Sequence, residues 1–122
     1  MALIANILVG LVAALHAYIL VLEMFLWTTP TGLRAFNMSA QQAQATAVLA
    51  ANQGLYNGFL AAGLVYGLIA SNPAVAFHFK VFFLLCVMAA GLYGGYSVSS
   101  RIIMIQTVPA AIALLFVWLA NR

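Results

Sequence analysis

The sequence predicts an all-α fold, an integral membrane four-helix bundle running up-down-up-down, and three observations carry that expectation. Of the 122 residues, 67% are hydrophobic and only 4% charged, where a soluble domain carries about a quarter charged residues. A small soluble domain buries only part of its chain on folding, so lipid must be the solvent for much of this surface. The apolar residues also fall into runs of roughly 20 or more, the length a helix needs to cross about 30 Å of hydrocarbon. Finally, the breaks between runs are short and turn-rich, which forces neighbouring helices to be antiparallel.

At this length the expectation is a single transmembrane domain, 1–122, with helices over about 3–27, 40–70, 73–96 and 101–119. The first run, Leu3 to Trp27, ends at Thr28-Thr29-Pro30-Thr31-Gly32, a turn-forming stretch. It is too long for a cleaved signal peptide and lacks both a basic start and a cleavage pattern. Residues 33–42 form the one extended polar connection. Within it Ser39-Ala40-Gln41-Gln42 reads as a capping box, the serine capping the helix and Gln42 reaching back.

Ser71-Asn72-Pro73 closes the second run and opens the third, because proline is well placed in a first helical turn. Ser97 to Ser100 is a tight link. The fourth run carries Pro109 inside it, which predicts a kink and a freed carbonyl.

Charge excludes one class of partner. The net charge of +3 comes from Arg34, Lys80, Arg101 and Arg122 against Glu23, four scattered cations that form no stripe for nucleic acid. In an up-down-up-down bundle both termini lie on one side, with Arg34 and Arg101 on the other. Arg122 and Lys80 balance those two arginines, so the positive-inside rule discriminates little, and the termini are assigned to the cytoplasmic side. Trp27 and Trp118 sit at the ends of apolar runs, where amphipathic rings favour the membrane interface. Cys86 is a lone cysteine in an apolar run; it closes no intrachain disulfide and belongs to no zinc spacing.

Small residues mark the packing faces. Gly54-x-x-x-Gly58, Gly63-x-x-x-Gly67 and Gly91-x-x-x-Gly95 let backbones approach where hydrophobicity cannot drive association. Packing within the chain is the default reading, and a homodimer through these faces remains an alternative.

The candidate chemistry begins with Glu23, the only acidic side chain, four residues inside Trp27. A carboxylate in hydrocarbon must be paired, hydrated or protonated, and intramembrane acids usually serve function. The structural alternative is that it reaches interfacial water from the helix end. His16 lies seven residues earlier, about two turns, which places both on one face about 10 Å apart along the axis. Standing alone, His16 would read as a hydrogen-bonded packing residue.

The second helix adds Asn52, Gln53, Tyr56 and Asn57, paired at i, i+4 as Gln53–Asn57 and Asn52–Tyr56. Such amides can be interhelical glue. Their depth, however, matches the half of the first helix that holds Glu23 and His16. Tyr93 and Tyr96 in the third helix and Gln106 in the fourth lie towards the same side. The tyrosines alone would form an aromatic belt; with Gln106, Tyr93 is a candidate for the same wall. His78 and Lys80 belong to the opposite half, where Lys80 can snorkel to headgroups. A mismatch near 12 Å along the bundle argues against a haem held by His16 and His78, and no metal or cofactor is expected.

The stretches Val21-Leu22-Glu23-Met24-Phe25-Leu26-Trp27 and Leu49-Ala50-Ala51-Asn52-Gln53-Gly54-Leu55-Tyr56-Asn57-Gly58 carry a resemblance. The chain resembles the bacterial membrane proteins known as domain of unknown function 1304, over essentially its whole length and including the Thr-Thr-Pro link. The resemblance implies four spanning helices and a multi-pass protein of the bacterial inner membrane; it implies no substrate. Three functions compete. The first is binding or transport of a small lipophilic or cationic molecule in a polar intramembrane pocket around Glu23, an arrangement only architecturally similar to small multidrug exporters. The second is an enzyme on a lipophilic substrate with Glu23 and His16 as acid and base. The third is a non-catalytic subunit whose polar residues lock the bundle.

Overall fold

The computed structural model describes all 122 residues. It is entirely helical. α1 spans Ala2–Met24, a short α2 Pro30–Ala35, α3 Ala40–Ile69, α4 Pro73–Ser97 and α5 Val108–Asn121; a π-helical turn, Ile103–Thr107, runs directly into α5. Three segments are long and apolar enough to cross a membrane: Ala2–Met24, Pro73–Ser97 and Ile103–Asn121. Most of their surface is exposed, as a small membrane protein with lipid around it requires. α3 is the longest helix, 30 residues. Its amide-bearing half makes it more polar than those three.

The helix ends follow local chemistry. Ser39 Oγ accepts from Gln42 N–H at 3.1 Å while Gln42 Oε1 accepts from Ser39 N–H at 3.0 Å, so each satisfies a donor at the start of α3. Asn72 caps α4, its Oδ1 accepting from Ala74 and Val75 N–H, with Pro73 at the first helical position. α2 starts at the Thr29 cap and Pro30. It stops where Asn37 takes a positive φ of 50° and Met38 N–H reaches back to Leu33 O at 3.1 Å.

Pro109 lies in the first turn of α5, just after the π-turn. Proline offers no N–H to the preceding turn, and the ladder widens just before it, Val108 N–H bonding to Ile103 O. One extra residue in the turn lets the remaining backbone groups find partners.

The chain divides into two compact units, Met1–Ala14 with Leu60–Arg122, and Leu15–Phe59. The first is cored by apolar residues: Val9, Leu64, Leu84, Val87, Ala110, Ala113 and Val117 are wholly buried. Within it Gly63 faces the Phe83 ring, Gly67 the Lys80 stem, Gly91 Thr107, and Gly95 Ile103. Thr107 adds a hydroxyl donated to Met88 O at 3.1 Å.

The second unit contains the C-terminal part of α1, all of α2 and the N-terminal part of α3. Gly32 of α2 lies against the carbonyls of Leu26 and Trp27, where a Cβ would meet backbone; only glycine allows that approach. The Trp27 ring packs on Phe36 at 4.7 Å, and its Nε1 donates to Thr46 Oγ1 at 3.1 Å, which satisfies the indole's single donor.

Candidate functional site

The site is built at the crossing of α1 and α3 within residues 15–59. Gly54 and Gly58 create it. A Cβ on Gly54 would lie 2.7 Å from Met24 Cγ and 3.0 Å from Glu23 Cβ; one on Gly58 would lie 2.6 Å from the Leu20 side chain. Without those side chains the two backbones come close, and Glu23 is sealed at the crossing with 3% of its surface exposed. Asn57, one turn beyond Gly54 on α3 and three residues from it, is 7% exposed and meets the acid directly. Its Nδ2 donates to Glu23 Oε1 at 2.6 Å.

A carboxyl group buried against one neutral amide is chemically unusual. An amide cannot neutralise a charge, so in this setting the group must either carry a proton or attract a cation. The same bond fixes the orientation of the carboxyl group. His16, on the same helix, has no exposed surface and is itself partnered. No buried side-chain polar atom is left without a hydrogen bond.

The other sequence candidates have different settings. Asn52, Gln53 and Tyr56 are exposed on α3, Tyr56 at 64% with its ring edge-on to Phe59. Tyr93 is 72% exposed on α4. Gln106 is half-buried in the π-turn and has a partner. Tyr93 and Gln106 belong to the other compact unit. Of the eight candidates, then, the direct contact is Glu23 with Asn57. Sequence reasoning missed the Trp27–Thr46 bond beside the site; its signal would have been a tryptophan donor and a threonine flanking the same connection.

The profile of the family described as "Protein of unknown function (DUF1304)" matches residues 10–118. The chain belongs to that family. It is also 32% identical over 115 residues to the uncharacterized protein YpaA of Lactococcus lactis, an alignment covering 92% of this chain and 95% of the relative. No solved structure matches. The matched region contains Glu23, Gly54, Asn57 and Gly58 together, so the whole crossing lies inside the family's shared segment.

Proposed function

We propose that the protein binds or transports a small lipophilic or cationic molecule, with Glu23 as the group that exchanges a proton for the cation and Asn57 as its orienting partner. The observation that carries this reading is the burial of the chain's only acidic side chain against a neutral amide, 2.6 Å away, at a glycine-mediated crossing. A purely structural crossing gains nothing from a carboxyl group that must be desolvated, because apolar side chains would pack there without that cost.

In this reading the chain is an up-down-up-down bundle of four spanning helices in the bacterial inner membrane, with both termini in the cytoplasm. Support for α3 as a fourth span is its length, 30 residues, or about 45 Å, and its lack of any charged residue. His16 lies deeper on the face of Glu23. Asn52, Gln53 and Tyr56 offer contact groups on the α3 surface, and Tyr93 and Gln106 are the outlying candidates.

The test is uptake of tetraphenylphosphonium into proteoliposomes under an imposed proton gradient. The wild type is expected to couple uptake to proton release, and Glu23→Gln, which keeps the hydrogen bond and removes the titratable group, is expected to abolish it. Equal uptake by both proteins removes the reading. Reporter fusions at the two termini test the orientation.

A structural lock is the second reading, favoured by the complete pairing of buried polar atoms. It expects Glu23→Gln, which keeps the hydrogen bond, to leave thermal stability in detergent nearly unchanged, with no cation stabilising the wild type.

A further inference from the structure

A second polar feature lies in the other unit and is independent of Glu23. Lys80 sits seven residues into α4, about 10 Å from its start. Its stem lies across Gly67, where a Cβ would come within 2.7 Å of Lys80 Cγ. Its ammonium donates to Asn6 Oδ1 of α1 at 3.1 Å. Asn6 is a neutral acceptor, and an ammonium has three donors, so charge and donors are left over. The one acidic side chain, Glu23, is engaged by Asn57.

Lys80 and Asn6 line a pocket of about 160 Å³ together with Pro73, Phe77 and Asn121. Phe77 also lines a second, larger feature, an apolar groove of about 410 Å³ between α4 and α5, walled by Val81, Met88, Leu114, Leu115 and Trp118. Phe77 thus borders both the pocket and the groove. The groove follows α4 from Phe77 to Met88, about 16 Å along the helix. At its mouth Arg122 lies over the Trp118 ring, 5.8 Å from the centroid, which brings a second cation to the same end.

We propose that this end of the protein holds an anionic phospholipid, its phosphate at Lys80 and Asn6 and one acyl chain along the α4–α5 groove. Each half of the feature excludes a simpler occupant. A free phosphate would use the pocket and leave 16 Å of groove empty. A zwitterionic lipid would bring a cation of its own beside Lys80 and Arg122 together with its phosphate, whereas basic sites between membrane helices are suited to headgroups of net negative charge. Lysine snorkelling explains why Lys80 reaches the helix end; the apolar groove on the other side of the shared Phe77 lining is what selects an amphiphile.

Native mass spectrometry of the full chain, titrated with phosphatidylglycerol or phosphatidylcholine of the same acyl length, reads the preference directly. The wild type is expected to favour phosphatidylglycerol, and Lys80→Gln to lower that preference about fivefold, the worth of one cation near the headgroups. Lys80→Arg keeps the charge and is expected to retain it, which separates loss of recognition from loss of fold. Ala111→Phe fills the groove and is expected to weaken both lipids. Unchanged preference in Lys80→Gln overturns the proposal. So does competition by inorganic phosphate as effective as that by phosphatidylglycerol, which would make the site one for the free anion.

Discussion

Met1–Ala14 and Leu60–Arg122 pack around Val9, Leu64, Leu84, Val87 and Val117, whereas Leu15–Phe59 buries His16, Glu23 and Asn57. α1 and α3 contribute to both units, while α4 and α5 belong to the apolar unit alone. Along the two shared helices the contrast lies in which side chains face inward. Within lipid, apolar packing gains no hydrophobic driving force between helices and rests on fit and dispersion. An apolar core is therefore the undemanding solution. A buried carboxyl group is a demanding one, tolerated because Asn57 meets it and glycines bring the backbones together. The part of the molecule that accepts the cost is the part where function is proposed.

The largest effect should come from the apolar unit. Leu84 is wholly buried, and Leu84→Ala should cost about 3 kcal/mol through lost contacts and the cavity left behind, measured by reversible unfolding in detergent. A cost below about 1 kcal/mol would mean that lipid or detergent fills the cavity and that the unit is less tightly packed than its burial implies.

The polar unit should respond differently. Asn57→Leu leaves the Glu23 carboxyl group buried without its partner and should cost about 2 kcal/mol. Adding Glu23→Leu should recover most of that loss, because replacing both partners with apolar groups removes the desolvation penalty. A double-mutant cycle reads this coupling. Additive losses would show that the bond does not hold the unit together, and the contrast between the two units would weaken.

The smallest effect tests the one buried polar side chain of the apolar unit. Thr107→Val removes the hydroxyl donated to Met88 O and should cost about 0.6 kcal/mol, the average for an interhelical hydrogen bond in a membrane. A loss as large as that of Asn57→Leu would mean that both units depend on polar contacts.

Much of this was legible in the residues. The capping box at Ser39 and Gln42 and the asparagine cap before Pro73 involve partners two or three positions apart, so local spacing reports them. Pro109 predicted a kink and a freed carbonyl in the last helix, and the structure carries a π-turn there. That the ladder widens there depends on what packs beside it, and here Thr107 packs on Gly91. The short α2 was hidden because Pro30–Ala35 is only six residues long. It is held by the approach of Gly32 to the end of α1, a tertiary contact.

The sequence by itself determined that the chain is helical, apolar enough to cross a membrane and almost free of charge, and it marked Glu23, as the single acid, for attention. Those properties follow from composition and period, which each residue carries with it. Only the tertiary structure decided that Asn57, and not the neighbouring Asn52 or Gln53, turns inward to that acid. One helical residue rotates the side chain by about 100°, so nearby amides face outward or towards the carboxyl group according to where Gly54 and Gly58 let the helices cross.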